Sequence, residues 1–396
     1  MFLLSRLQGL NSQYATARKL LLSAHQIDPE DPEIRAAWIK TLPAAQRIPE
    51  TEAYLAAPRA DTADDRRDMQ TDLEELKAWA AEPRKPCTMI STATIAEIPF
   101  VPILTNSEHT IGYGLDVKIN NHTARIAIDT GYNARIAVDG VSGLLINRLV
   151  AQRSGVKPLF HNDVAGSGGD APRAGYIAYA DSLSIGDIEF HDCAVQVMAS
   201  NFANGADGVF SMDLLSSFLV TLDYPTKRLL LGPLPPRPTT IPQSNGLYNR
   251  YVAPEMSDYT PILRSGSDLI LPLSVNGKRP MLFGVYTGIL ESVMSPGAAF
   301  EIAKGHNDPR YELRGSSGKL PLSFPMGNVV LSLGALSWGE SSFANFDTFR
   351  FTDDVGAEIS GMIGLRTLSR MTLHIDYRDG LVKFDYDPKR KSPLLF

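Results

Sequence analysis

Cysteine is scarce in this chain. Cys87 and Cys193 are the two among 396 residues, too few for a disulfide framework, and neither lies in a CxxC or Cys/His cluster with zinc spacing. That count leaves the redox compartment open. No apolar run approaches the roughly 18 to 20 residues that a membrane-spanning helix requires. No block of Lys and Arg is present that could neutralise a phosphate backbone, and 38 basic against 44 acidic residues give a formal charge of -6. Neither nucleic acid nor a membrane is therefore an expected partner. The start, Met1-Phe-Leu-Leu-Ser-Arg6, has neither the basic leader nor the apolar length of a secretory signal. Helical periodicity begins almost at once, which suggests an upstream piece, such as an export signal, outside the given chain. The seven histidines form no HExxH pair, and there is no GxSxG elbow or Walker loop, so serine-hydrolase, nucleotide and metal chemistry have no support and no cofactor is expected.

What is there reads as a folded protein: 44 % hydrophobic and 21 % charged residues over 396 positions, enough for two to three domains at about 150 residues each. Residues 1–85 read as helices. Leu20, Leu21, Ala24 and Ile27 fall at helical spacing. Asp28-Pro-Glu-Asp-Pro32 then breaks the run before Ile34, Ala37, Trp38 and Leu42 begin another, and a charged third helix is expected over about 64–81. The piece ARKLLLSAHQIDPEDPEIRAAW resembles the second helix of a tetratricopeptide repeat followed by the first of the next. Such helices need neighbours to bury their faces, which makes this segment a possible protein-binding surface or simply a helical cap.

From about residue 112 the period becomes that of strands. Leu115, Val117 and Ile119 alternate, Asn120-Asn121 suits a hairpin turn, and Ile126 and Ile128 resume; downstream, Leu271, Leu273 and Val275, then Asn276-Gly277, then Met281, Phe283 and Val285 repeat the pattern. Three further segments match in the same order. IAIDTG (126–131) corresponds to LFGVYTG (282–288), each expected to lead into a helix, at Ser142 and at Ser295. AGSGG (165–169) corresponds to RGSSG (314–318), and DGVFSMDLLSSFLVTLDYPTKRLLL (207–231) to SGMIGLRTLSRMTLHIDYRDGLVKF (360–384). The chain thus holds two related β lobes, joined by the proline-rich stretch 233–246, which suits neither a helix nor a central strand.

Asp129-Thr130-Gly131 after an apolar strand, a glycine-rich loop some 35 residues on, and the later DGVFSMDLL and VTLDY segments resemble the pattern of retropepsin-like and pepsin-like aspartic proteases over about 112–390. The resemblance implies a mainly β fold with two homologous lobes facing across a cleft, preceded by the helical segment. The expected division is a helical tetratricopeptide-like segment at 1–85, a linker at 86–111, a first lobe at 112–232, a connector at 233–255 and a second lobe at 256–396. It further implies an extended polypeptide as substrate or ligand, Asp129, Thr130 and Gly131 as site residues, and Gly166, Ser167, Gly168 and Gly169 as a flap. A solvent hairpin is the alternative for that loop. Its glycine spacing also nominally fits a dinucleotide fingerprint, but Pro172 and Gly175 follow in place of a helix.

The chain departs from the pattern at the second lobe, where Tyr286-Thr287-Gly288 stands in place of the second Asp-Thr-Gly. Two adjacent carboxylates work by sharing a proton, one activating water and the other donating to the carbonyl. A phenol, titrating near 10, could at best donate a hydrogen bond to Asp129. Tyr132 and Ser211 are further departures, whereas Gly364 keeps the turn glycine that Ser211 replaces. The expected function is an aspartic-type peptidase or its degenerate descendant; the alternative is a non-catalytic pseudoprotease or interaction scaffold in which Asp129 merely ties its own loop. Asp223 and Asp376, ahead of Tyr at both strand ends, are expected to serve turns or strand pairing.

Overall fold

The computed structural model describes the chain apart from residues 58–61, 83–86, 106–108, 133–140, 165–172, 201, 203–204, 242, 245, 303–312, 316–317, 321–324, 327, 341–342, 346–347, 349–350, 353–354, 390–393 and 395–396. Five helices open it: α1 (Phe2–Leu10), α2 (Tyr14–Ile27), α3 (Pro32–Lys40), α4 (Ala44–Ala56) and α5 (Ala63–Ala80), each packed on the next. The acidic proline break behaves as its chemistry requires. Asp31 caps α3 by accepting the Ile34 N–H at 2.9 Å, with Pro32 in the first turn where no N–H is needed. Thr62 and Asp65 form a reciprocal capping box at the start of α5. Helices α1 and α4 add to the three that the periodicity outlined.

The remainder is mainly β and built twice. In the first half the strand His122–Ile128 lies between His109–Ile119, antiparallel, and Gly208–Phe210, parallel. In the second half Pro280–Val285 lies between Asp268–Val275, antiparallel, and Ile359–Ile363, parallel. The hairpin turns match in detail. Asn120 and Asn276 have φ of 50° and 52°, the left-handed region that asparagine tolerates. Each clasps a neighbouring strand with both its backbone N–H and its side-chain oxygen: Asn120 holds Ser182, and Asn276 holds Val330. Among the described residues each half forms a nine-stranded sheet, and each sheet covers its own part of a continuous apolar core.

A six-stranded sheet welds the halves, three strands from each, in the order Thr260–Pro261, Leu381–Tyr386, Met371–Asp376, Phe218–Asp223, Arg228–Pro233, Ala96–Pro99. Its two central strands are the sequence-equivalent pair, antiparallel with Leu219 opposite Asp376 and Asp223 opposite Thr372, so a local two-fold runs between the lobes. Asp223 accepts from Thr226 within its turn and from Thr372 across the pair, and Asp376 accepts the Asp379 N–H, the turn and pairing roles expected of them.

Two expectations need correction. The stretch 86–111, read as a linker, carries the strands Thr88–Met89, Ala96–Pro99 and Val101–Thr105, all paired with first-lobe strands. Pro99 and Pro102 obscured its alternation, and Ala96–Pro99 is an edge strand, where proline is tolerated. Ser142 does not start a helix but lies within the strand Val141–Asn147. The helix Arg148–Ser154 begins after Asn147, whose side chain accepts the Val150 N–H at 2.8 Å; Ser295 does cap the second-lobe helix Pro296–Ile302 as expected, accepting from Ala298. Cys87 and Cys193 are joined by a disulfide that ties the chain beyond α5 to the first-lobe strand Ile188–Met198.

Candidate functional site at the seam between the lobes

Asp129-Thr130-Gly131 and Tyr286-Thr287-Gly288 follow equivalent strands, so the duplication brings their tips together on the local two-fold. Asp129 N–H donates to Phe210 O at 3.1 Å and Tyr286 N–H to Ile363 O at 3.0 Å, equivalent bonds that fix where each tip leaves its sheet. The two threonines lock the tips. Thr130 Oγ1 donates to Val285 O at 2.5 Å and accepts the Thr287 N–H at 3.2 Å. Thr287 Oγ1 donates to Ile128 O at 3.0 Å and accepts the Thr130 N–H at 3.1 Å. Both side chains are buried, and every one of these four bonds crosses from one lobe to the other.

The glycines explain the third position of each triplet. A Cβ on Gly131 would fall 1.9 Å from Cδ1 of Tyr286, and one on Gly288 would fall 2.1 Å from Oδ2 of Asp129. Each glycine therefore makes room for the residue that opens the other triplet. Asp129 keeps part of its surface accessible, but protein packs around its carboxyl, and this burial raises its pKa above the ordinary 3.8. The Gly131 N–H, 2.8 Å from Oδ1, and the Gly288 N–H favour the charged form without overcoming that rise. Beneath the seam, the buried Tyr224 phenol sits near Thr287 and Asp129, and burial pushes its pKa up.

Tyr286 does not play the part foreseen for it. Its ring is buried among Val293, Ala344 and Met362 and meets Phe351 edge-on at 5.6 Å, and its hydroxyl donates to Asp268 Oδ1 at 2.8 Å. A phenol has one hydrogen to give, and here Asp268 receives it rather than Asp129. Sequence reasoning passed over Asp268, although a signal existed. Asp268 stands eight positions before the turn residue Asn276, where the first lobe has Gly112 eight before Asn120. The second lobe thus carries a Tyr and an Asp where the first carries an Asp and a Gly. Next to Asp268, Ser267 Oγ donates to Tyr132 O at 2.8 Å, pinning this turn of the second lobe to the residue after Gly131.

The flap candidates Gly166, Ser167, Gly168 and Gly169 lie outside the described residues; the strands flanking them, Lys157–His161 and Gly175–Ile185, pair antiparallel. Their second-lobe counterpart is the hairpin of Leu313–Gly315 with Gly318–Leu320. Among the described residues no group of three or more His, Cys, Asp and Glu could hold a metal ion, and no helix is long and apolar enough to cross a membrane. A surface pocket lined by Leu219, Leu234, Met256 and Tyr259 shares no residue with the seam.

Residues 115–214 match the family described as aspartyl protease, a match that includes Asp129-Thr130-Gly131. Among solved structures, the aspartic proteinase from Irpex lacteus is similar over 75 % of this chain and 99 % of its own, at 13 % sequence identity and a TM-score of 0.47. No curated protein matches the chain.

Proposed function

We propose that the seam binds an extended polypeptide along an aspartic-protease-type cleft with a single catalytic-type acid, Asp129, and that the protein is a degenerate descendant of a peptidase which holds such chains rather than cutting them efficiently. The observation that supports this is the commitment of Tyr286 to Asp268 at 2.8 Å. Among the described residues Asp129 then has no carboxyl hydrogen-bond partner with which to share a proton, and losing acid or base assistance costs about 10²–10⁴-fold in rate. Pairing two chains through their first lobes, which would bring two copies of Asp129 together, would first have to break the four threonine bonds to the second lobe. Calorimetric titration with pepstatin, an extended peptide mimic, tests the reading. Binding that is lost in Asp129→Asn, with peptide substrates left intact at acidic pH, is expected; no binding by the wild type would refute it.

One observation favours a second reading in which cleavage persists. The Tyr286 hydroxyl and the Asp268 carboxyl form a polar pair beside the tip that carries Asp129, and that pair would supply the second polar group of the reaction. In that case acid cleavage of an unfolded protein substrate would vanish in Asp129→Asn and fall sharply in both Tyr286→Phe and Asp268→Asn. Unchanged cleavage in the latter two would remove the pair from the chemistry.

A further inference from the structure

A chain of side-chain hydrogen bonds runs from helix α5 to the residue that follows Asp129-Thr130-Gly131. Tyr132 Oη donates to Gln196 Oε1 at 2.6 Å, Gln196 Nε2 donates to Asn162 Oδ1, and Asn162 Nδ2 donates to Glu75 Oε1 at 2.5 Å. Gln196, Asn162 and Glu75 are each 5 % exposed or less. The donors all point the same way, toward the carboxyl of Glu75, so each bond polarises the next and the carboxylate anchors the whole chain. The elements it joins are not neighbours in sequence. Asn162 stands directly after the strand Lys157–His161, which pairs with Gly175–Ile185, and Gln196 lies on the strand that the disulfide fastens at Cys193.

Two other contacts make α5 part of this wall. It packs on the strand Lys157–His161, and Trp79 meets the fully buried Tyr179 of the paired strand with ring centroids 6.0 Å apart. Tyr132 is in turn bonded through its carbonyl to Ser267 of the second lobe. It is therefore a node between the helical segment, the first lobe and the second. The aromatic residue that departs from the aspartic-protease pattern at this position has a use, since its terminal hydroxyl reaches Gln196 Oε1.

We propose that Glu75 is a positioning residue for the seam: through Asn162 and Gln196 it sets the pairing of the strands Lys157–His161 and Gly175–Ile185 and the orientation of Tyr132, so that the helical segment controls how the cleft receives a polypeptide. This rests on the reading above that the seam holds an extended polypeptide. The test uses the full chain as Glu75→Ala and as Glu75→Gln, which keeps a carbonyl acceptor for Asn162. Amide hydrogen exchange is followed in 157–161 and 175–185, with 371–376 in the shared sheet as internal control, and pepstatin affinity is measured alongside. In Glu75→Ala, exchange in both strands should rise by about tenfold or more while the control holds, and pepstatin should bind about tenfold more weakly; Glu75→Gln should restore most of both. Unchanged exchange in Glu75→Ala, an equal rise in 371–376, or a Glu75→Gln variant as impaired as Glu75→Ala would overturn the proposal. Should the wild type bind no pepstatin, the functional reading fails while the exchange measurement still decides the role of Glu75.

Discussion

Replacing Thr130 with Val keeps the branched shape of the side chain and removes the hydroxyl alone. That hydroxyl donates to Val285 O at 2.5 Å and accepts the Thr287 N–H at 3.2 Å, and both of those backbone groups belong to buried residues. The variant leaves one enclosed acceptor and one enclosed donor open. At about 1–3 kcal/mol for each unsatisfied group, the expected cost is about 2–6 kcal/mol, a large share of the roughly 5–15 kcal/mol that holds a typical domain folded. Thr287→Val should cost about the same, because its hydroxyl makes the mirror-image pair of bonds to Ile128 and Thr130. No bond joins the two hydroxyls directly, yet all four bonds hold one seam. Once either pair is lost the tips can part, and the double variant should cost less than the sum of the singles. Urea unfolding followed by tryptophan fluorescence gives the values, with Thr130→Ser and Thr287→Ser as controls that retain the hydroxyl. A loss below about 0.5 kcal/mol in either Val variant, typical of an unimportant surface site, would refute the claim that the threonines bind the lobes together.

Three further outcomes follow from the same geometry. The folded pKa of Asp129 lies above its unfolded value, so the folded state holds more protons between the two and loses stability as pH rises through that folded pKa. Asp129→Asn, which keeps an acceptor for the Gly131 N–H, should therefore be more stable than wild type at neutral pH, with the advantage shrinking as pH falls through the folded pKa towards 3.8 and constant below that; an advantage of the same size at both ends would contradict it. Gly131→Ala would set a Cβ 1.9 Å from the Tyr286 ring and should destabilise by about 1–3 kcal/mol, with Tyr286→Ala in the same chain relieving most of that penalty in a double-mutant cycle. Peptide mapping without reductant should recover Cys87 linked to Cys193, 106 positions apart. Reduction or Cys87→Ser should then lower the urea midpoint, reflecting a stability loss of up to about 4–5 kcal/mol in the chain-entropy picture for a loop of that size.

The disulfide also shows the limit of counting. A pair of cysteines so far apart carries no local signal that they meet, and it took the pairing of Thr88–Met89 with Phe190 and His191 to bring them together. The same limit explains the linker. Ile98 and Ile103 were visible as apolar residues among prolines, but whether such a stretch is a tether or an edge strand depends on a neighbour more than a hundred residues away, here Leu229 opposite Ile98. The helix expected at Ser142 failed for a different reason. A serine followed by apolar residues suits a helix start and a buried strand equally well, and the parallel partner Ile188–Met198 decided for the strand.

The amino-acid order by itself determined that the β part of the chain is doubled, that helices precede it, and that one tip carries an acid and the other a phenol. Periodicity, turn asparagines and the paired triplets are local features, and local features survive in a linear text. Only the tertiary structure decided which groups those tips face: Asp129 against Gly288, Tyr286 turned to Asp268, and Glu75 reaching Tyr132 through two amides. Hydrogen bonds select partners by distance in space, and the strands that carry these residues are set side by side by pairings between positions far apart in the chain.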